Sequence, residues 1–238
     1  MKKTTLLLFV LAFCLGTQES KCQLLQNAEK LLGQKNGSLS EKDAADGIRE
    51  ALIKGTGNGV KTVSKIDGYF KNPEIKIPFP PEEKEIESKL RAIGLGSKVD
   101  EVIESFNRAA EDAATEAEPI FVSAIKSMTI KDAVNIVRGD NDAATKYLKK
   151  TTSGQLKTKF QPKIKTSLDK VDATKQWATL INAYNKIPFV TKKNPNLAEY
   201  VTRKAIDGLF VMIAKEELNI RKDPMARTSE LLKKVFGE

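Results

Sequence analysis

The 238-residue sequence contains no histidine, and its only two cysteines, Cys14 and Cys22, lie in the first 22 residues. The missing histidine excludes a Ser-His-Asp triad, a Cys-His pair and a histidine-ligated zinc site. It also leaves no side chain with an ordinary pKa near neutrality. Any catalysis would fall to carboxylates, a desolvated lysine, a tyrosine or a bound cofactor. Aromatic residues are only 6% of the chain, with one tryptophan.

What is present begins with a leader pattern. Met1-Lys2-Lys3 is a basic head, and Leu6 to Leu15 is an apolar run of about ten residues, too short to span a bilayer. Ser20 and Cys22 are small residues that suit a cut before Gln23. The expected organisation is a signal peptide over 1–22, a lead-in over 23–39 and a helical domain over 40–238. A lipid anchor would need a small residue just before the modified cysteine. Phe13 and Lys21 stand there instead. Export implies the periplasm or the extracellular space, with envelope association. The cut also removes both cysteines, so the exported chain has no disulfide, no thiolate metal site and no thiol nucleophile. About 216 residues suffice for one domain held by a hydrophobic core.

Charge is unevenly spread. The whole chain carries +9; residues 82–118 hold eleven acids against five bases, and residues 146–193 hold twelve lysines against Asp169 and Asp172. Two readings follow. The acidic and basic segments can be solvated helix faces lying against each other. Alternatively, segment 146–193 forms a surface for an anionic partner, either lipid headgroups or an acidic polysaccharide. The scarcity of aromatics there, and the use of lysine rather than arginine, argue against nucleic acid.

Periodicity is helical throughout. Ile48, Leu52, Gly55, Gly59, Val63, Ile66 and Phe70 form one stripe with glycines on the packing face. Ile86, Leu90 and Ile93 mark a short helix ending at Gly94-Leu95-Gly96. Val99, Val102, Phe106, Ala109, Ala113 and Ala117 mark a longer one, kinked or ended by Pro119. Thr129 caps a helix whose inner face is Ile130, Ala133, Val134 and Val137. Further helices read over 142–151, 153–168, 173–187 and 196–219, and a last one starts at Asp223-Pro224. Two proline-containing segments, 72–81 and 187–190, read as extended straps. The fold class is therefore all-α: a single multi-helix domain with two straps and no disulfides.

Several stretches resemble functional motifs. "VRGDNDAATKY" (137–147) contains Arg-Gly-Asp and two metal-like aspartates. A calcium loop counted from Asp140 would need glycine and glutamate where Thr145 and Thr151 stand. Gly139 sits where a left-handed helix end belongs, and Asp140 to Asp142 sit where an N-cap belongs, so the stretch reads as a helix-helix corner. Gly55-Thr56-Gly57-Asn58-Gly59-Val60-Lys61 lacks P-loop spacing and reads as close helix packing. Ser123-Ala124-Ile125-Lys126 and Ser167-Leu168-Asp169-Lys170 match Ser-x-x-Lys without its companion motifs. Asn36-Gly37-Ser38 is a glycosylation acceptor only in a eukaryotic host.

The most unusual polar position is Asp207, inside Ala205 to Ala214, a window apolar nearly all round. That predicts a buried carboxylate, paired with Arg203 or Lys204 one turn back. The alternative is a pocket carboxylate. Arg108, Glu111, Arg221, Asp223 and Arg227 are the candidates to join it.

The segments "GYFKNPEIKIPFP", "FNRAAEDAA", "DNDAATKYLKKTT", "YVTRKAIDGLF" and "IRKDPMARTSELLKKVFG" resemble exported bacterial proteins of domain-of-unknown-function family forty-one ninety-seven. The resemblance spans about residues 40–237, in the family's order. It implies an all-helical exported domain and brings no activity, cofactor or catalytic residue. The leading expectation is thus a non-enzymatic binding or envelope-associated protein, with no cofactor and no metal. The alternative is a histidine-free, hydrolase-like enzyme using Asp207 or Glu111 as base, with arginines holding an anionic substrate.

Overall fold

A computed structural model describes residues 41–80, 84–170, 172–190 and 197–222. The leader, the lead-in, the Asn36 pattern, Pro81, Asn194-Pro195, and the terminal helix with Asp223 and Arg227 lie outside those residues. Among the described residues there are eight helices and no strand. They are α1 (Glu41–Val63), α2 (Lys84–Ala92), α3 (Gly96–Ala114), α4 (Ala117–Lys126), α5 (Ile130–Arg138), α6 (Ala143–Lys170), α7 (Ala173–Asn185) and α8 (Ala198–Lys222). The fold is all-α, and the described residues contain no cysteine.

Helix α6 is the centre of the architecture. Ala144, Leu148, Thr152, Leu156, Phe160, Ile164 and Leu168 are buried, one residue in every four. A step of four overshoots a 3.6-residue turn by about 40°. The buried stripe therefore winds around α6 along its length, and α8, α3, α4, α7 and α5 all pack on it. The sequence suggested two helices meeting near Thr152. One unbroken helix forms instead, because Thr152 is fully buried and satisfies its hydroxyl by donating to the Leu148 carbonyl at 2.6 Å. Pro162 stays inside the helix, on an exposed position.

Helices α6 and α8 run antiparallel. Lys157 faces Glu199, Lys149 faces Asp207, and Thr145 meets Glu217. Helix α1 lies on the other flank of α8. Its glycines permit that approach: a Cβ at Gly59 would stand 2.7 Å from Ile213 Cδ1. The expected stripe stops at Val63, where α1 ends. Ile66 is exposed in the following turn.

Residues 72–80 cross the helices with Ile75, Ile77 and Phe79 buried and Lys76 and Pro78 exposed. Asn107 of α3 holds this segment as a neighbouring strand would. Its Oδ1 accepts from the Ile77 amide at 2.8 Å, and its Nδ2 donates to the Ile77 carbonyl at 2.9 Å. The second expected strap differs. Ile187 to Phe189 form a turn, with Phe189 left-handed (φ 65°) and fully exposed.

Helix ends follow local chemistry. Thr129 caps α5 in a reciprocal box with Asp132. Pro119 falls in the first turn of α4, where its missing N–H costs nothing, and α3 ends just before, at Ala114. The 137–147 stretch is a corner between α5 and α6. Gly139 there is extended (φ −80°), not left-handed. It is glycine because a Cβ would stand 2.6 Å from Ala143 Cβ and 2.9 Å from the Asn135 carbonyl oxygen.

Candidate functional site

Glu111 is buried among the alanines of α3. Its Oε1 accepts from the amides of Tyr69 and Phe70 at 3.0 and 3.1 Å. Its Oε2 accepts from Arg108 Nη1 at 2.9 Å. Arg108 also donates to Asp67 at 2.8 Å and Glu104 at 3.1 Å, and its guanidinium lies over the Phe70 ring. Burial opposes the Arg108 charge, but the carboxylates of Glu111, Asp67 and Glu104 outweigh it and raise its pKa. Lys71 and Arg108 hold the Asp67 carboxyl below its usual range. Tyr69 is wholly buried, and its hydroxyl donates to the Ala205 carbonyl of α8 at 2.7 Å. Burial, with the Glu111 charge adding, pushes its phenol pKa far up. Glu111 is thus spent on binding the 67–70 turn to α3. Both its oxygens are taken.

Sequence reasoning missed a second buried carboxylate, Glu217. It accepts from the amides of Ala144 and Thr145 at 3.0 and 2.8 Å, and from the Thr145 hydroxyl at 2.7 Å. Arg221 donates to it at 2.8 Å and also to the Ile136 carbonyl at 2.9 Å. One pair therefore caps the start of α6 and ties down the end of α5. Of the expected capping residues Asp140 to Asp142, Asp142 pairs with Lys146 at 2.9 Å and Asp140 lies 3.5 Å from the same lysine. A signal existed: Val201, Ala205, Leu209, Ile213 and Glu217 fall every four residues, and all are buried.

Asp207 is not buried, which corrects the sequence expectation. Its side chain is 53% exposed, and its ion-pair partner is Lys149 at 3.9 Å rather than Arg203. It belongs to the outer stripe of α8, with Glu199, Arg203, Val211 and Lys215 at four-residue steps. Val211, an exposed apolar residue, made the window look buried all round. Arg108 with Glu111 and Arg221 with Glu217 form two structural knots, while Arg203 and Asp207 share an open groove. Lys204 is half-buried beside Arg203 and does not line that groove.

The groove lies between α6 and α8 and holds about 500 Å³. Lys149, Ser153 and Lys157 line one wall; Glu199, Tyr200, Arg203 and Asp207 line the other. The Lys157–Glu199 pair stands at 3.2 Å, and like the Lys149–Asp207 pair it is more than half exposed. Ser153 donates to the Lys149 carbonyl at 2.5 Å, and its hydroxyl oxygen can still accept from another donor. Tyr200 donates to the Pro78 carbonyl at 3.1 Å, and its ring has Phe106 at its edge and Arg203 nearby.

The family described as "Protein of unknown function (DUF4197)" matches residues 38–237. The chain belongs to that family. No curated protein matches it, and no solved structure does. In this DUF4197 chain the quoted sequence segments converge in pairs. "GYF" and "NRAAE" meet at the Glu111 knot, and "DNDAAT" meets the residues leading into "IRK" at the Glu217 knot. Those segments build the DUF4197 fold. The groove draws Lys149 from "DNDAATKYLKKTT" and Tyr200, Arg203 and Asp207 from "YVTRKAIDGLF", with Ser153, Lys157 and Glu199 from outside the quoted segments. Among the described residues no group of acids is arranged to hold a metal, and no helix is long and apolar enough to cross a membrane.

Proposed function

We propose that this chain is an exported, non-enzymatic binding protein of the cell envelope that engages an anionic partner through α6. The observation that carries this reading is a row of four lysines. Lys146, Lys149, Lys150 and Lys157 recur at helical spacing on one exposed face of α6, and Arg203 of α8 extends the row. Lys150 has no acidic partner among the described residues. Other lysines of the basic segment are used internally. Lys163 joins α6 to Asp112 of α3 at 3.7 Å and to Glu116, between α3 and α4, at 3.0 Å, and its pKa is raised, chiefly by Glu116. The acidic segment thus lies against one end of α6; at the other end Lys146, Lys149 and Lys157 make only exposed pairs, with Asp142, Asp207 and Glu199, which contribute little and can exchange for another anion.

The enzyme reading needs Glu111 or Asp207 as a base. Glu111 has no free oxygen, and Asp207 is solvated and faces a lysine. Nothing in either environment favours proton abstraction.

The test is cosedimentation of the mature chain with anionic phospholipid vesicles and, separately, with polygalacturonate. Binding should weaken steeply with salt, because an exposed lysine row acts through screened charge. It should also fall in a Lys146→Gln/Lys150→Gln variant. Salt-independent binding, or none to either probe, overturns the reading. Cell fractionation tests export directly.

A further inference from the structure

A surface that took only phosphate or sulfate would present cations and amide donors and keep carboxylates away. The α6–α8 groove does otherwise. Glu199 and Asp207 stand eight residues apart on α8, two helical turns or about 12 Å. Each faces a lysine, and Arg203 lies midway between them. Such a site matches a ligand that carries an anionic group and several hydrogen-bond donors. The cations take the anion, and the carboxylates and Ser153 accept from hydroxyls. Tyr200, beside Glu199 at one end of the groove, adds a half-buried aromatic ring over which Arg203 lies. The volume fits a small ligand site, of the order of 300–1000 Å³.

We infer that the groove between α6 and α8 is a binding site for an acidic saccharide of the uronic-acid class, with Lys149 and Arg203 on the carboxylate and Glu199 and Asp207 on hydroxyls. The inference rests on the anionic-partner reading and narrows it. A peptide docked by strand addition or as an apolar helix fits less well, because those modes use a free sheet edge or an apolar groove. Here both walls are helices with internally bonded backbones, and the lining is charged. A lipid phosphate meets two carboxylates within the groove. The two ion pairs hold it shut only weakly, since exposed pairs contribute little and a ligand group can replace either partner.

The experiment is calorimetric titration of the mature chain with digalacturonic acid, cellobiose and acetate. Digalacturonic acid should bind, with acetate and cellobiose at least tenfold weaker. Arg203→Ala and Lys149→Ala should each weaken the acidic disaccharide about tenfold. Asp207→Asn should weaken the disaccharide while strengthening acetate, an opposition that mere loss of folding cannot produce. Circular dichroism should match wild type for all three exposed substitutions. Acetate binding as tightly as the disaccharide, or groove variants with unaltered affinity, overturns the inference. If polygalacturonate binding is lost in Lys146→Gln/Lys150→Gln but unchanged in the groove variants, the lysine-row reading stands and the saccharide site falls. If the unaltered chain binds no probe, both fall.

Discussion

Glu217 accepts the backbone amide of Thr145 at 2.8 Å and its hydroxyl at 2.7 Å, across 72 positions of sequence. A helix start leaves amides without partners and carries partial positive charge. Capping side chains normally come from the adjoining residue. Here the anion comes from the last turns of α8, and Arg221 balances it while holding the Ile136 carbonyl. The α5–α6 corner is therefore fixed by a distant helix.

Glu217→Ala should be among the most damaging single substitutions. It opens two buried amides and removes the carboxylate from Arg221, whose side chain is 6% exposed. Breaking a buried pair this way costs about 3–5 kcal/mol. Urea unfolding should show a large drop in midpoint with unchanged slope, and Glu217→Gln a smaller one. A loss below about 1 kcal/mol would refute the capping role.

Two helical glycines should respond oppositely to alanine. A Cβ at Gly208 would stand 2.8 Å from Tyr69 Cε1 and 3.1 Å from Ile75 Cβ, so Gly208→Ala should destabilise by about 1–3 kcal/mol through overpacking. A Cβ at Gly154 meets nothing within 4 Å, so Gly154→Ala should stabilise by up to about 1 kcal/mol. Thermal melts of the two variants check both signs.

The α5 capping box gives a pH signature. Thr129→Ala should cost about 1 kcal/mol. The Asp132 carboxyl is held below its ordinary range by the Thr129 hydroxyl and amide. Its stabilising contribution is therefore present above the unfolded pKa of about 4 and is lost as pH falls through the folded value. Asp132→Asn should weaken the protein at neutral pH and converge with wild type in acid. A constant gap across that range would contradict the assignment.

Tyr69 should stay un-ionised until the protein unfolds. Its raised pKa means the unfolded phenol gives up its proton first. Stability from this group is therefore whole below about pH 10 and erodes as pH rises beyond it. Ultraviolet titration should show the Tyr69 tyrosinate appearing only with the alkaline unfolding step. In Tyr69→Phe that tyrosinate should disappear. The variant should also lose about 1 kcal/mol, from the hydrogen bond to Ala205.

The sequence alone determined the all-helical class, the Thr129 cap and the glycine face of α1. These features are local or compositional: a 3.6-residue period and a cap each need only a few neighbouring side chains. Tertiary structure decided which carboxylate goes inside. Asp207 sits in an apolar window and Glu217 in a charged one on the same helix, yet the packing of α8 against α6 and α1 puts Glu217 inward and Asp207 outward. It likewise made α6 a single helix, because its winding buried stripe finds neighbouring helices along its length. It also made the groove, because α6 and α8 run antiparallel and bring Lys149 and Lys157 opposite Asp207 and Glu199. A residue's own helix sets its spacing, but the neighbouring helices decide which side is buried.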